Sequence, residues 1–168
     1  MFQLFQPAYV GPRALDEGFS ADLSVLNTSA STALTGWSTD NPYFSSSNFN
    51  ATTGNYTVPV TGLYTMQAKI NYTTNAAITA SLGSSINPFF VIQRTSPTAT
   101  PLFSGLLPIF DADVAILTLR AVLGNGGVTL TGVVSLTQGD VVNLYYDTDG
   151  MTIPITIQDT FWSAYRLA

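Results

Sequence analysis

Two pairs of alternating aspartates, Asp111 with Asp113 and Asp147 with Asp149, have the residue type and spacing best suited to holding a cation. The second pair leads into Gly150, and carboxylates at a turn offer hard oxygen ligands to calcium. A calcium ion takes about six to eight oxygens, and neither pair sits in the acidic spacing of an EF-hand. Solvated loop carboxylates are the favoured reading; Ca2+ is the one ligand ion left open, and no other cofactor is expected. Trp37, Tyr43 and Phe44 form a second group, aromatic rings in loop-like sequence amid Asn, Thr and Asp, a mixture that stacks on and hydrogen-bonds sugars. The competing reading has Trp37 plugging one end of a barrel.

Catalysis finds little support. The 168 residues contain no Cys and no His, which removes thiol chemistry, disulfides, the Ser-His-Asp arrangement and the usual zinc and haem ligands. Glu17 is the only glutamate, and Arg94, Arg120 and Arg166 are isolated in the sequence. A carboxylate pair could hydrolyse a glycosidic bond without histidine, but no spacing here sets one up. The expectation is a protein that is not an enzyme.

Charge narrows the partners. Only 9% of residues are charged, with five Lys and Arg against ten Asp and Glu, while 46% are hydrophobic. One lysine and four arginines cannot build the positive surface that a phosphate backbone or an anionic membrane demands, so no nucleic-acid partner is expected. Ten Phe, eight Tyr and two Trp argue against disorder. A chain so weakly charged would have little protection against association, which suggests that copies of itself cover part of its surface. No run of apolar residues is long enough for a transmembrane segment, and Met1 to Pro7 lack the basic start and apolar core of a secretory signal.

The elements positioning these residues read as strands. Helical periodicity is almost absent, and short alternating segments with turn residues between them indicate an all-β sandwich or barrel. Residues 1–18 read as an N-terminal arm or first strand, and 19–168 as one domain. Tyr64, Met66, Ala68, Ile70 and Tyr72 alternate with Thr65, Gln67, Lys69 and Asn71, which predicts a long strand with those five residues in or near the core. Tyr56, Val58 and Val60 share one face of the strand before it. Further strands are expected at Phe19 to Leu26, Ala77 to Leu82, Phe89 to Gln93, Val114 to Val122, Val128 to Leu136, Val141 to Tyr146, around Ile153 to Gln158, and at Phe161 to Leu167. Thr95 to Pro101 reads as a loop, and Asn125-Gly126-Gly127 and Gln138-Gly139-Asp140 as turns. Sequons stand at Asn27, Asn50, Asn55 and Asn71, the last awkwardly inside the long strand.

Four blocks of this sequence resemble a known superfamily. Asn50-Ala51-Thr52-Thr53-Gly54-Asn55-Tyr56-Thr57-Val58-Pro59-Val60-Thr61-Gly62-Leu63-Tyr64 resembles the central motif of the globular head of complement's first component, subcomponent q, whose fold the tumour necrosis factor proteins share. Gln138-Gly139-Asp140-Val141-Val142 resembles its late Gly-Asp turn, Phe161 to Leu167 its terminal strand, and Phe19-Ser20-Ala21 its opening strand, all in the family's order. Trp162-Ser163-Ala164 departs from the usual Ser-Gly, and the central block lacks Cys.

The resemblance implies a TNF-like jelly-roll β-sandwich of about ten antiparallel strands in two sheets, assembled as a homotrimer. It implies a non-enzymatic head domain of a kind that often caps a collagen-like stalk, although no Gly-X-Y repeat stands in this sequence. The expected setting is extracellular or surface-displayed, on a bacterial surface, exosporium or virion. The alternative is a receptor- or glycan-binding knob of a phage or viral fibre. A protein or carbohydrate ligand would be bound in grooves between subunits. Charge is costly where three copies meet, so the axis is expected to be lined by aromatics from among Tyr56, Tyr145, Tyr146, Phe161, Trp162 and Tyr165. The competing reading is that these rings fill the core of the single chain.

Overall fold

The computed structural model describes residues 17–74, 82–83, 85–114 and 117–167. Most of the expected N-terminal arm, and residues 77–81 of the strand expected from Ala77 to Leu82, lie outside them. Among the described residues thirteen strands, β1 to β13 along the chain, form two sheets and a hairpin. The first sheet runs in the order β11 (Asn125–Leu136), β6 (Gly62–Thr74), β13 (Ile155–Arg166), β1 (Phe19–Thr28) and β3 (Phe44–Ser45). The second runs β4 (Phe49–Asn50), β5 (Asn55–Thr57), β12 (Val141–Asp147), β7 (Phe89–Ser96) and β8 (Thr100–Leu106), with β2 (Thr32–Ala33) paired onto β12. β9 (Ile109–Val114) and β10 (Leu117–Val122) pair with each other. Strands remote in sequence lie side by side, as β1 does beside β13, in a jelly-roll sandwich.

β6 forms the spine of the first sheet, because its period-two pattern lets one row of side chains face the second sheet. Tyr64, Met66, Ala68, Ile70 and Tyr72 are all buried on that row. β13 answers from the next strand with Ile155, Ile157, Trp162 and Ala164. The sequence reads β13 as two strands; it is one, with an irregularity between Gln158 and Phe161 where Asp159 takes φ 44°. The amide of Asn71 donates to Asp159 O at 2.8 Å across that irregularity.

Aromatic residues fill the core in two clusters. Phe19 and Phe49 stack at 3.9 Å, and the Trp162 ring meets both edge-on. Phe90 lies between Tyr72 and Tyr146 in the second cluster. The hydroxyl of Tyr56 donates to Glu17 O, and that of Tyr64 to Val60 O at 2.6 Å. Burial pushes all four tyrosines above the ordinary phenol range, Tyr72 up to about 12.

Three local expectations are corrected. Asn125-Gly126-Gly127 is the start of β11, paired with β6, and no turn. A Cβ on Gly126 would stand 2.7 Å from the Tyr72 hydroxyl, so glycine is there to admit that ring. Strand also occupies most of Thr95 to Pro101. β7 continues through Ser96 and β8 starts at Thr100, with Pro101 tolerated because β8 lies at the edge of its sheet. Val60 leaves the face it was expected to share with Tyr56 and Val58, because β5 ends at Thr57.

Candidate self-association face and polar loop cluster

The outward face of the first sheet carries the side chains that the strand pattern turns away from the core. Register sets them in rows: Val133, Thr65 and Tyr165; Thr131, Gln67, Ser163, Ser20 and Phe44; Thr129, Lys69, Phe161 and Asp22. Leu63 and Val133 stand 46% and 55% exposed. Ser20 and Ser163 are buried, and the half-buried rings of Phe161 and Tyr165 lie one row to either side of them. The Tyr43 ring lies 6.1 Å from Phe161, and Phe44 lies 5.9 Å from Tyr165. In these three rows Lys69 and Asp22 are the charged residues, and Phe161 stands between them. Arg166 pairs with Glu17 at 3.2 Å.

The six aromatics expected at an axis therefore divide. Tyr56, Tyr146 and Trp162 are 0% exposed inside the chain's own core and have no surface to offer a partner, which corrects their placement at an axis. Their strand positions alternate inward, toward the opposite sheet. Tyr145 is half-buried, but it belongs to β12 in the other sheet, so it cannot share a face with Phe161. Phe161 and Tyr165 remain on one face, and they are joined there by Tyr43 and Phe44, which the sequence reads as ligand loops. The signal that unites them is the pairing of β3 with β1, which two-residue strands hardly announce in a sequence. Trp37 is buried, and its Nε1 donates to Leu34 O at 2.7 Å, in keeping with a plug.

Of the four aspartates weighed as cation ligands, Asp111 pairs with the buried Arg120, while Asp147 and Asp149 are held in hydrogen bonds. Arg120 donates to Gly83 O, to Ile86 O and to Asn87 Oδ1 at 2.6 Å, while its Nε lies 3.4 Å from Asp111 Oδ2. Asn87 N in turn donates to Asp149 Oδ2 at 2.7 Å. Asp147 Oδ1 accepts from Asp149 N at 2.9 Å and from Ser31 Oγ at 3.3 Å. The Arg120 guanidinium thus sits beside Asp111 and reaches Asp149 only through Asn87, and neither carboxylate is left in a shell of the six or more oxygens that calcium needs. Asp113 lies on β9, paired with Thr118 of β10. Among the described residues no group of three or more acidic, His or Cys side chains is placed to hold a metal.

No family model matches the sequence, and no curated protein matches it. Solved structures do. Murine APRIL at pH 5.0 is 15% identical with a TM-score of 0.57, covering 90% of this chain and 98% of that one. Eiger TNF from S. frugiperda is 13% identical with a TM-score of 0.56, covering 90% and 94%. The globular domain of zebrafish complement 1qA protein is 14% identical with a TM-score of 0.52, covering 91% and 98%. The chain has the fold of these head domains, an all-β TNF-like jelly roll.

Proposed function

We propose that the chain is a non-enzymatic head domain whose copies meet as a homotrimer through the outward face of the first sheet. The observation that carries this reading is the composition of that face. Exposed Leu63 and Val133 share that face with Phe161, Tyr165, Tyr43 and Phe44, with hydroxyls and one amide between them and charge confined to one row. Patches of this kind mark association sites, and symmetric repetition makes each absent charge count three times. The superfamily that the sequence blocks resemble assembles in threes, which agrees. Assembly would yield a compact tip displayed at a surface or on a filament, including the end of a collagen-like stalk; the fibre-knob alternative needs the same face. No helix among the described residues is long and apolar enough to cross a membrane.

The chain has no native Cys, so single cysteines report on this face cleanly. Thr131→Cys lies in its middle row, and Ser104→Cys lies exposed on β8 of the other sheet. Under native conditions a bulky maleimide should modify Ser104→Cys far faster than Thr131→Cys. Equal rates would contradict the reading.

A further inference from the structure

A second surface lies in the other sheet, around the turn that joins β4 to β5. There an open groove of about 560 Å³ is lined by Ser47, Asn50, Thr53, Asn55 and Thr57, with Val141 among them. The geometry points to a binding groove for a neutral oligosaccharide, a site separate from the self-association face.

The groove is built before any ligand arrives. Asn50 Oδ1 accepts from Thr52 N at 3.0 Å and Thr53 N at 3.1 Å, and Gly54 N donates to Asn50 O at 2.8 Å, closing a tight turn. Gly54 has φ +72°, and a Cβ on it would stand 2.2 Å from Leu34 O. The turn is therefore pressed against the Leu34–Trp37 segment with no room to shift. Behind it Asn143, almost wholly buried, directs Nδ2 toward Asn55 Oδ1 at 3.4 Å, and its own Oδ1 has no partner among the described residues. That contact orients the Asn55 side-chain amide, whose Nδ2 is a donor and whose Oδ1 keeps a second lone pair, at the groove wall. Asn50, with its carbonyl committed to the turn, offers its Nδ2 in the same way. Thr57 and Ser47 add hydroxyls that both donate and accept.

The lining selects the ligand class. It holds no Arg, Lys, Asp or Glu, so phosphate, sulfate and carboxylate ligands find no counter-charge, and cations find no carboxylate. Vicinal sugar hydroxyls each donate and accept, which matches neutral amides and hydroxyls, and Val141 provides an apolar patch for the C–H side of a ring. The volume falls within the roughly 300–1,000 Å³ of small-molecule sites. A peptide adding itself to the sheet would use the edge strand β4, but its two residues, Phe49 and Asn50, offer almost no ladder to extend.

The test uses the whole chain in saturation-transfer NMR and calorimetry against maltotriose, cellotriose, mannotriose and chitotriose, with sialyllactose as the charged comparison. At least one neutral trisaccharide should bind at millimolar concentration or below, and better than sialyllactose. Asn55→Asp keeps the acceptor facing Asn143 and removes the donor; Thr57→Val removes a hydroxyl at constant shape. Each should weaken that binding about tenfold, the loss expected for one unpaired hydrogen bond, with the melting midpoint unchanged. Failure of every neutral sugar to bind, preference for sialyllactose, or undiminished binding by both variants would overturn the assignment. None of these outcomes depends on how many copies assemble.

Discussion

The ring of Phe44 on the two-residue strand β3 lies 5.9 Å from the ring of Tyr165 on β13, although 121 positions separate them in the chain. β1 lies between the two strands and pairs with both, so the contact bridges across it and continues the aromatic surface to the edge of the sheet.

That surface makes the assembly testable by charge. Leu63→Arg and Val133→Arg alter exposed positions and leave the core untouched. Each removes roughly 100 Å² of apolar area from a joint, about 2.5 kcal/mol per copy, and adds repulsion repeated around the axis. Gel filtration should show a shift to single-subunit size with near-UV circular dichroism retained. Leu106→Arg, at a residue 60% exposed on β8 of the other sheet, should leave assembly unchanged.

The buried tyrosines predict alkaline instability with a definite sign. Their ordinary value is 10.0, and all are raised in the folded chain, so above pH 10 the unfolded state binds fewer protons and stability falls as pH rises. Below pH 10 their contribution is fully present; for Tyr72 it is lost between 10 and about 12. The hydroxyls of Tyr72 and Tyr146 have no hydrogen-bond partner among the described residues. Tyr72→Phe and Tyr146→Phe should therefore be neutral or stabilising at pH 7 and should flatten the alkaline loss. Tyr64→Phe, which gives up the bond to Val60 O, should cost about 1 kcal/mol in urea denaturation.

Two glycines let the sheets close on each other. A Cβ on Gly132 of β11 would stand 2.1 Å from Phe103, and one on Gly105 of β8 would stand 2.6 Å from Val128. Gly132→Ala should destabilise by about 1–3 kcal/mol through overpacking against the ring, and Gly105→Ala by a similar amount. Gly139→Ala meets nothing within 4 Å, so any loss there comes from its φ of +89° alone.

Arg120 should matter as a tie between segments and not as a neighbour of metal. Arg120→Met leaves two backbone carbonyls and Asn87 without their donor and should cost about 3–5 kcal/mol. Millimolar calcium should leave the melting midpoint of the native chain unchanged, whereas a bound ion would raise it by mass action.

Much of the fold was legible because period-two order survives in single segments such as Tyr64 to Tyr72, where one face is dry and the other wet. The inward roles of Trp162 and Tyr146 stay open between core and axis in the sequence: whether an aromatic on a strand turns in or out depends on the parity of its neighbours. Trp162 follows the irregularity at Asp159, which resets that parity. Asn125-Gly126-Gly127 looks like a turn because glycine pairs usually are, yet the steric demand comes from Tyr72, more than fifty residues away. The polar groove is illegible in the sequence for a related reason. Asn50 and Asn55 stand in sequons and in a family motif, while Asn143, which orients Asn55, lies inside a distant strand. The aspartate pairs read as solvated carboxylates with calcium left open, and the sequence does not reveal that Arg120 reaches Asp111 directly and Asp149 through Asn87.

The account depends above all on the outward face of the first sheet being covered by other copies. Multi-angle light scattering of the native chain, followed through dilution, measures this directly. The account predicts a stable species near 54 kDa, three times the 17.9 kDa chain. A folded species that stays at 17.9 kDa across the accessible concentrations would contradict it.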